Sequence, residues 1–231
     1  MSHNDTSILQ SAIQSVLVQL PSHYQDSFPP IEELLDPFLR YWSLLQRWNA
    51  KIKLTGASSL DEYATRHIAD SLIGWWKIAD ASPGHHILDV GSGAGFPAIP
   101  LALLRPDLSW TLVESHSRRA AFLRQVKRDL KIQDMTIEAS RVTGEPTRED
   151  LLEDYGAMVF RAVAPEQILP LAHRYLTEQG RVVYWGTPNF ESPEVSTLSS
   201  PETLPYHLTS GEDFCLYAYT IQESADTIPT E

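Results

Sequence analysis

The spacing of apolar positions changes near residue 85, and the change divides the chain. Ahead of it the period is helical. Leu9, Ile13, Val16, Leu17 and Leu20 recur three or four residues apart, and so do Leu34, Leu35, Phe38, Trp42 and Leu45. Glu32 and Glu33 stand where the first turn of a helix favours acids. Leu60, Ala64, His67, Ile68, Leu72 and Trp75 predict a third helix, with Ser58 or Ser59 to cap it. Pro21, Pro29 and Pro30 bracket the loop between the first two. Residues 1–80 therefore read as a helical lobe.

Beyond residue 85 short apolar runs take over, at His86–Val90, Trp110–Glu114, Met135–Ala139, Ala157–Phe160 and Arg181–Trp185. Helical patterns lie between most of them, at Ile99–Leu104, Ser117–Leu130 and Gln167–Leu176. Strands alternating with helices indicate an α/β domain built on a mostly parallel sheet. Thr203–Leu208 and Phe214–Thr220 follow one another without a helix, so they can pair antiparallel at an edge. The expected domain runs over 81–222. Thr187–Ser200, rich in Pro, Ser, Thr and Glu, reads as a mobile loop, and 223–231 as a disordered tail.

Charge sharpens this division. The chain of 231 residues has a formal charge of −12, yet the last 50 residues contain no Lys or Arg. Arg118, Arg119, Arg124, Lys127, Arg128 and Lys131 form one concentrated basic stretch, opposed only by Asp129. The acidic balance excludes a passive whole-surface nucleic-acid binder and leaves room for a local basic site. The single cysteine, Cys215, excludes a disulfide framework and a cysteine zinc site. No run approaches the roughly 18 to 20 apolar residues of a membrane span. Met1–Gln10 lacks the basic and apolar regions of a signal peptide, so a cytoplasmic protein is expected.

The strongest chemical signal is Asp89-Val90-Gly91-Ser92-Gly93-Ala94-Gly95-Phe96-Pro97. A strand ends in an acid, glycines alternate three times, and a helix follows. Glycine admits backbone conformations closed to other residues and lets a ligand lie against the chain. About 20 residues on, the second strand ends in Glu114, where an acid can accept hydrogen bonds from a ribose diol. A nicotinamide dinucleotide would need Gly-x-Gly-x-x-Gly, and here the third glycine comes one residue early. The spacing suits S-adenosylmethionine better. Its cationic end is matched by an acid such as Asp89. A ligandless glycine turn and a nicotinamide site are the alternatives.

These residues resemble the RsmG (GidB) family, bacterial methyltransferases of guanine N7 in 16S ribosomal RNA. The likeness runs from about Trp42 to Gly186. It is carried by Trp48-Asn49 with Leu54-Thr55, and by Arg66-His67-Ile68-Ala69-Asp70-Ser71-Leu72. The loop Leu88–Ala102, Val113-Glu114-Ser115 with Arg118, Arg119, Phe122 and Leu123, Ser140-Arg141-Val142, and Arg161-Ala162 complete it. The resemblance implies the class I methyltransferase fold: a Rossmann-like, mostly parallel seven-stranded sheet with a helical N-terminal lobe. It implies S-adenosylmethionine as cofactor, held by Asp89, Gly91, Gly93, Gly95, Phe96, Glu114, Ser115, His116, Val142, Thr143 and Arg161. Arg161 would also be the catalytic pocket residue, placing substrate against cofactor. The implied partner is 16S rRNA in the small ribosomal subunit or its precursor, with Lys51, Lys53, Arg66, Arg118, Arg119, Arg124 and Lys127 as RNA contacts. A monomer and no membrane association are expected.

The chain departs from the family pattern. Thr143 stands for a glutamate, Trp185 for a lysine before Gly186, and Lys53 for an asparagine; the C-terminal strand lacks basic residues. A class I methyltransferase with another substrate, or a non-catalytic cofactor-binding assembly factor, are the competing readings. Guanine N7 carries a lone pair and no proton, so positioning can supply most of the rate, and no nucleophile–base constellation is needed. An ion pair of Arg161 with Asp154 or Glu166 is its structural alternative. His67 reads as a core histidine, and Trp42, Trp48, Trp75 and Trp76 as core residues at helical spacing. His85-His86 lacks a third ligand, so no metal site is expected.

Overall fold

The computed structural model describes residues 3–82, 84–143 and 155–222. Three helices open the chain: α1 (His3–Leu17), α2 (Ser22–Asp26) and α3 (Ile31–Asn49). The single helix expected over 60–75 is broken. It begins as α4 (Leu60–Tyr63), capped by Ser59, whose hydroxyl accepts the Glu62 N–H. It then widens into a π-helical segment at Ala64–Ala69 and resumes as α5 (Asp70–Leu72). Gly74 separates α5 from α6 (Trp75–Ile78).

The sheet has seven strands: β1 (His86–Val90), β2 (Ser109–Val113), β3 (Met135–Glu138), β4 (Tyr155–Arg161), β5 (Leu176–Gly186), β6 (Glu202–His207) and β7 (Asp213–Thr220). Their order is β3-β2-β1-β4-β5-β7-β6. The first five run parallel, and β7 inserts antiparallel between β5 and β6. Helices α7 (Ala98–Leu104) and α8 (Ser117–Leu130) make the crossovers. This is the class I methyltransferase arrangement. The edge pairing of β6 with β7 appears as the sequence suggests.

The segment after β4 differs from expectation. Instead of a helix over 167–176 there is α9 (Pro165–Ile168), one turn long, then a 3-10 stretch at Leu169–Arg174. Pro170 removes a backbone donor and its ring crowds the carbonyl four residues earlier, so an α-helix cannot continue. β5 then starts at Leu176. Thr187–Ser200 forms no strand, but it is tied down: Leu198 is buried and bridges Ile221, and Ser192 bonds the Tyr219 hydroxyl at 2.9 Å. The tail at 223–231 lies outside the described residues. No helix among those described is long and apolar enough to cross a membrane.

Side chains alternate across the sheet. Ile87, Val159, Val183 and Trp185 join a core with α1, α3, α7, α8 and the π segment. Leu88, Met158, Phe160 and Val182 join another with α9 and the 3-10 stretch. The N-terminal helices and one face of the sheet thus share a core. The same parity puts Asp89 and Arg161 on the side facing those helices.

One arginine ties the end of the helical segment to the sheet. Arg105, just past α7, donates from Nη1 to the carbonyls of Ile78 and Ala79 at 2.9 and 2.8 Å, and from Nη2 to Ala81 at 2.7 Å. Its guanidinium also forks onto Asp107. Ile78 ends α6 and its carbonyl also accepts the Ala81 N–H at 3.1 Å, whereas the carbonyls of Ala79 and Ala81, just past the helix, take no backbone donor among the described residues. Arg105→Ala is expected to lower the free energy of unfolding by about 2–4 kcal/mol. Asp107→Ala, which removes only the exposed arm, should cost under about 1 kcal/mol. Urea denaturation of the two variants measures both.

Candidate active site

The site is built where β1, β2 and β4 end. β1 runs into Gly91, whose φ of +72° is left-handed. A Cβ at Gly91 would stand 2.5 Å from the Val163 side chain, so both the turn and the space require glycine. Gly91 and Ser92 donate to the Val113 carbonyl at 2.9 and 3.1 Å. Glu114, 4% exposed, then staples the two loops together. Its Oε2 accepts the Gly93 N–H at 2.8 Å and its Oε1 accepts the His116 N–H at 2.7 Å. A carboxylate has about four acceptor sites, so two remain for hydroxyls of a ligand.

These loops surround a cavity of about 310 Å³. Of the residues singled out for the cofactor, Gly91, Glu114, Ser115, His116 and Val142 line it, and Arg119, expected as an RNA contact, lines it too. The others stand back. Gly93 and Gly95 belong to the loop behind it, Thr143 gives its carbonyl to the Tyr175 hydroxyl at 2.9 Å, and the Phe96 ring is buried against Tyr41, Tyr63 and His67. The far wall, Ala162, Val163, Gln167 and Ile168, was missed. Only the pairing of β4 beside β1 brings it there, and no local pattern signals that. Ala162 holds φ at +57°, a strained conformation for a residue with a Cβ. Sequence cannot show such strain in an alanine.

Asp89 lies beneath the glycine loop, 1% exposed, and neither carboxylate oxygen has a hydrogen-bond partner. Burial pushes its carboxyl up to about 7; the neighbouring Ser92 hydroxyl, which donates to the Asp89 backbone carbonyl at 3.2 Å, and then the Arg161 charge pull the other way, and Glu114 adds to the rise. An orphaned buried carboxylate under a glycine loop suits a cationic ligand. Glu114, with two free acceptor sites, suits a diol. Both features fit S-adenosylmethionine.

Arg161 points away from the cavity, toward the helical segment. Its Nη1 pairs with Asp70 Oδ2 and donates to the Arg66 carbonyl at 3.2 Å. Its Nη2 meets His67 Nδ1 at 3.1 Å, and the guanidinium lies 5.6 Å from the Phe96 ring centroid. The ion-pair partner is thus Asp70, not Glu166 or Asp154. Glu166 sits on α9, across the sheet, and Asp154 lies outside the described residues. His67 is stacked on Phe96 at 4.6 Å and bonded through Nε2 to Thr55. Burial, then the charges of Arg161 and Arg66, hold its pKa down to about 3. Because a guanidinium only donates, Nδ1 is the acceptor and Nε2 carries the proton.

The basic residues divide into three places. Lys51, Lys53, Arg118 and Arg119 line an open groove of about 640 Å³ at the start of α8. Ser115, His116 and Arg119 border this groove and the loop cavity alike. Arg66 pairs with Glu212 at 2.7 Å. Arg124 reaches the Ile137 carbonyl at 3.3 Å, and Lys127 lines a different cavity with His85 and His86, at the N-terminal ends of the strands. A helix of 14 residues spans roughly 20 Å, and the two ends of α8 line different cavities. Trp42, Trp75 and Trp76 are buried, and Trp185, in the position expected to hold lysine, is 4% exposed. Among the described residues no three His, Cys, Asp or Glu side chains cluster as metal ligands.

Known proteins match this chain in sequence and in fold. Proteins described as "Ribosomal RNA small subunit methyltransferase G" are 34% identical over 160 residues in Roseiflexus castenholzii and 39% identical over 153 in Anaeromyxobacter dehalogenans. The alignments cover 64% and 65% of this chain, and 66% and 69% of those proteins, so about two thirds of the relatives' length is spanned. Among solved structures, geranyl diphosphate C-methyltransferase from Streptomyces coelicolor superposes with a TM-score of 0.54 at 13% identity, covering 79% of this chain and 98% of that one. At that identity the likeness concerns the fold. The family profile described as rRNA small subunit methyltransferase G matches residues 35–192, and the chain belongs to that family, GidB.

Proposed function

We propose that the protein is an S-adenosylmethionine-dependent methyltransferase acting on N7 of a guanine in 16S rRNA, within the small ribosomal subunit or its precursor. It works as a cytoplasmic monomer. The observation that carries this reading, beside family membership, is the loop cavity opening beside a groove lined by four cations that form no ion pair among the described residues. One wall suits a nucleoside cofactor and the next suits a sugar-phosphate backbone.

In this reading Gly91 and the loop around it carry the cofactor, Glu114 takes its ribose hydroxyls, and Ser115, His116 and Val142 flank its adenine. Asp89 balances its cationic end from below. The cofactor, when bound, supplies an electrophilic methyl group. Guanine N7 offers its lone pair without losing a proton, so no side chain need act as a base. His67, neutral and enclosed, is not needed as one. Arg161 has five N–H groups, of which Asp70, Arg66 and His67 use three. The rest can hold guanine O6 or a phosphate. The base becomes positive as the methyl arrives, and a bare guanidinium would oppose that. Asp70 offsets the charge of Arg161, leaving its hydrogen bonds to orient the base.

Transfer of labelled methyl to small ribosomal subunits lacking N7-methylguanine tests the reading, with release of labelled N7-methylguanine expected. Cofactor binding by calorimetry with no label on RNA would send the substrate assignment elsewhere.

The groove is tested by charge reversal. Lys51→Glu with Arg118→Glu should weaken binding to the subunit about tenfold or more and reduce the salt slope by about 2. Lys127→Glu, at the other end of α8, should change neither. Equal losses from both variants would discard the groove as the RNA path.

The cofactor should also respond to pH. Asp89 in the free protein keeps its proton up to about pH 7, whereas an unfolded aspartate loses it near 3.8. A bound cation favours the ionised form, so binding releases a proton below pH 7, and affinity rises between pH 6 and 7.5. Calorimetry in two buffers of different ionisation heat reads the released proton. Asp89→Asn should abolish that part of the slope.

A further inference from the structure

We infer that Tyr206 and Trp185 are positioning residues for methyl transfer, acting on Arg161 through Asp70; this rests on the function proposed above. Three strands converge on that aspartate. Arg161 of β4 pairs with Oδ2, the Tyr206 hydroxyl of β6 donates to Oδ1 at 2.5 Å, and the Trp185 indole N–H of β5 donates to the Asp70 backbone carbonyl at 2.8 Å. Asp70 is 4% exposed and Tyr206 is fully buried. With both carboxylate oxygens and the carbonyl engaged from different directions, the side chain cannot rotate without breaking a buried bond.

The packing argues that the arrangement is specific. Trp185 lies against the gap between α5 and α6, where a Cβ on Gly74 would come within 2.5 Å of the indole ring. The indole therefore fills the place of a missing side chain and fixes the turn that follows Asp70. Burial, and the Asp70 charge beside it, push the Tyr206 hydroxyl far above the usual tyrosine range, so the phenol stays a donor. Tyr206 lies beyond the residues matched by the family profile, and Trp185 replaces the lysine that the resemblance leads one to expect. This chain thus holds its guanidinium with a tyrosine and a tryptophan of its C-terminal half. Neither touches the cavity; each acts by limiting where Asp70, and hence Arg161, can stand.

Tyr206→Phe removes one oxygen and Trp185→Phe removes one N–H while keeping an aromatic ring. Misplacing Arg161 should lower kcat on small ribosomal subunits about tenfold to a hundredfold in either variant. KM for S-adenosylmethionine should stay within about twofold, because the cavity walls are untouched. In an Arg161→Lys background the fork that Asp70 holds is gone, and adding Tyr206→Phe should lower kcat no further. A merely structural tyrosine would give the opposite: its loss would show in the melting temperature and would persist in the Arg161→Lys background. If Tyr206→Phe fails to give a cooperative melt, Trp185→Phe carries the same cycle. An unchanged kcat in both variants, or additive losses with Arg161→Lys, overturns the inference while leaving the methyltransferase reading intact. A wild-type protein that transfers no methyl to RNA overturns both.

Discussion

The ion pair between Asp70 and Arg161 ties the two parts of the molecule into one site. Arg161 ends a central strand of the sheet; Asp70 begins a turn of the helical segment that packs on it. A buried pair is poor evidence of net stability, because removing two charges from water costs several kcal/mol per ion. Its value is positional. Once Arg161 has bonded the Arg66 carbonyl, His67 and Asp70, the helical segment cannot slide along the sheet without leaving a charge unpaired, and that loss costs about 3–5 kcal/mol. The relation between the loop cavity and the helices beside it is thereby fixed.

A net charge of −12 and an RNA substrate are compatible because the charges are segregated. The cationic groove lies at the start of α8, the helix between β2 and β3. Glu202, Glu212 and Asp213 lie on or beside β6 and β7, the opposite edge of the seven-stranded sheet. Six strand spacings come to roughly 29 Å, more than three Debye lengths at physiological salt. Acids at that distance scarcely weaken the groove, while their charge keeps other surfaces from holding nucleic acid. Charge segregation of this kind orients as well as attracts.

What the sequence reveals follows from the range of the interactions involved. The alternation of strands and helices and the glycine loop are local, and a reading of periodicity places them well. Glu114 is legible because a strand end and a loop are brought together by the sheet itself. Arg161 is different. Its pocket position was suggested, but its partner lies 91 residues earlier, and only strand parity and the order of strands turn it toward Asp70 rather than Glu166. The π-helical segment is hidden for another reason. Leu60, Ala64, Ile68 and Leu72 keep an ordinary helical spacing of four, and the widened turn among them serves tertiary contacts of Arg66, His67 and Asp70. Likewise Lys127 and Arg118 are nearly neighbours in a list of basic residues and stand near opposite ends of a helix in space.

Methyl transfer to guanine N7, as proposed, removes no proton and puts its demands on geometry. That reading accounts for the kinds of residue gathered here. The one histidine in the cluster is held neutral and in a single tautomer, with one nitrogen serving Arg161 and the other Thr55. Asp89, the one buried carboxylate without a partner among the described residues, sits below the loop rather than in the cavity, where it can supply charge without contact. Ala162 keeps a strained backbone next to Arg161, between the strand that fixes the guanidinium and the wall of the cavity. Strain of about 1–2 kcal/mol persists only where surrounding contacts over-determine the position. Here those contacts are the ones that hold Arg161 on one side and Val163 against Gly91 on the other. The peptide between them turns one strand end two ways, Val163 toward the loop cavity and Arg161 toward Asp70 and the helical segment.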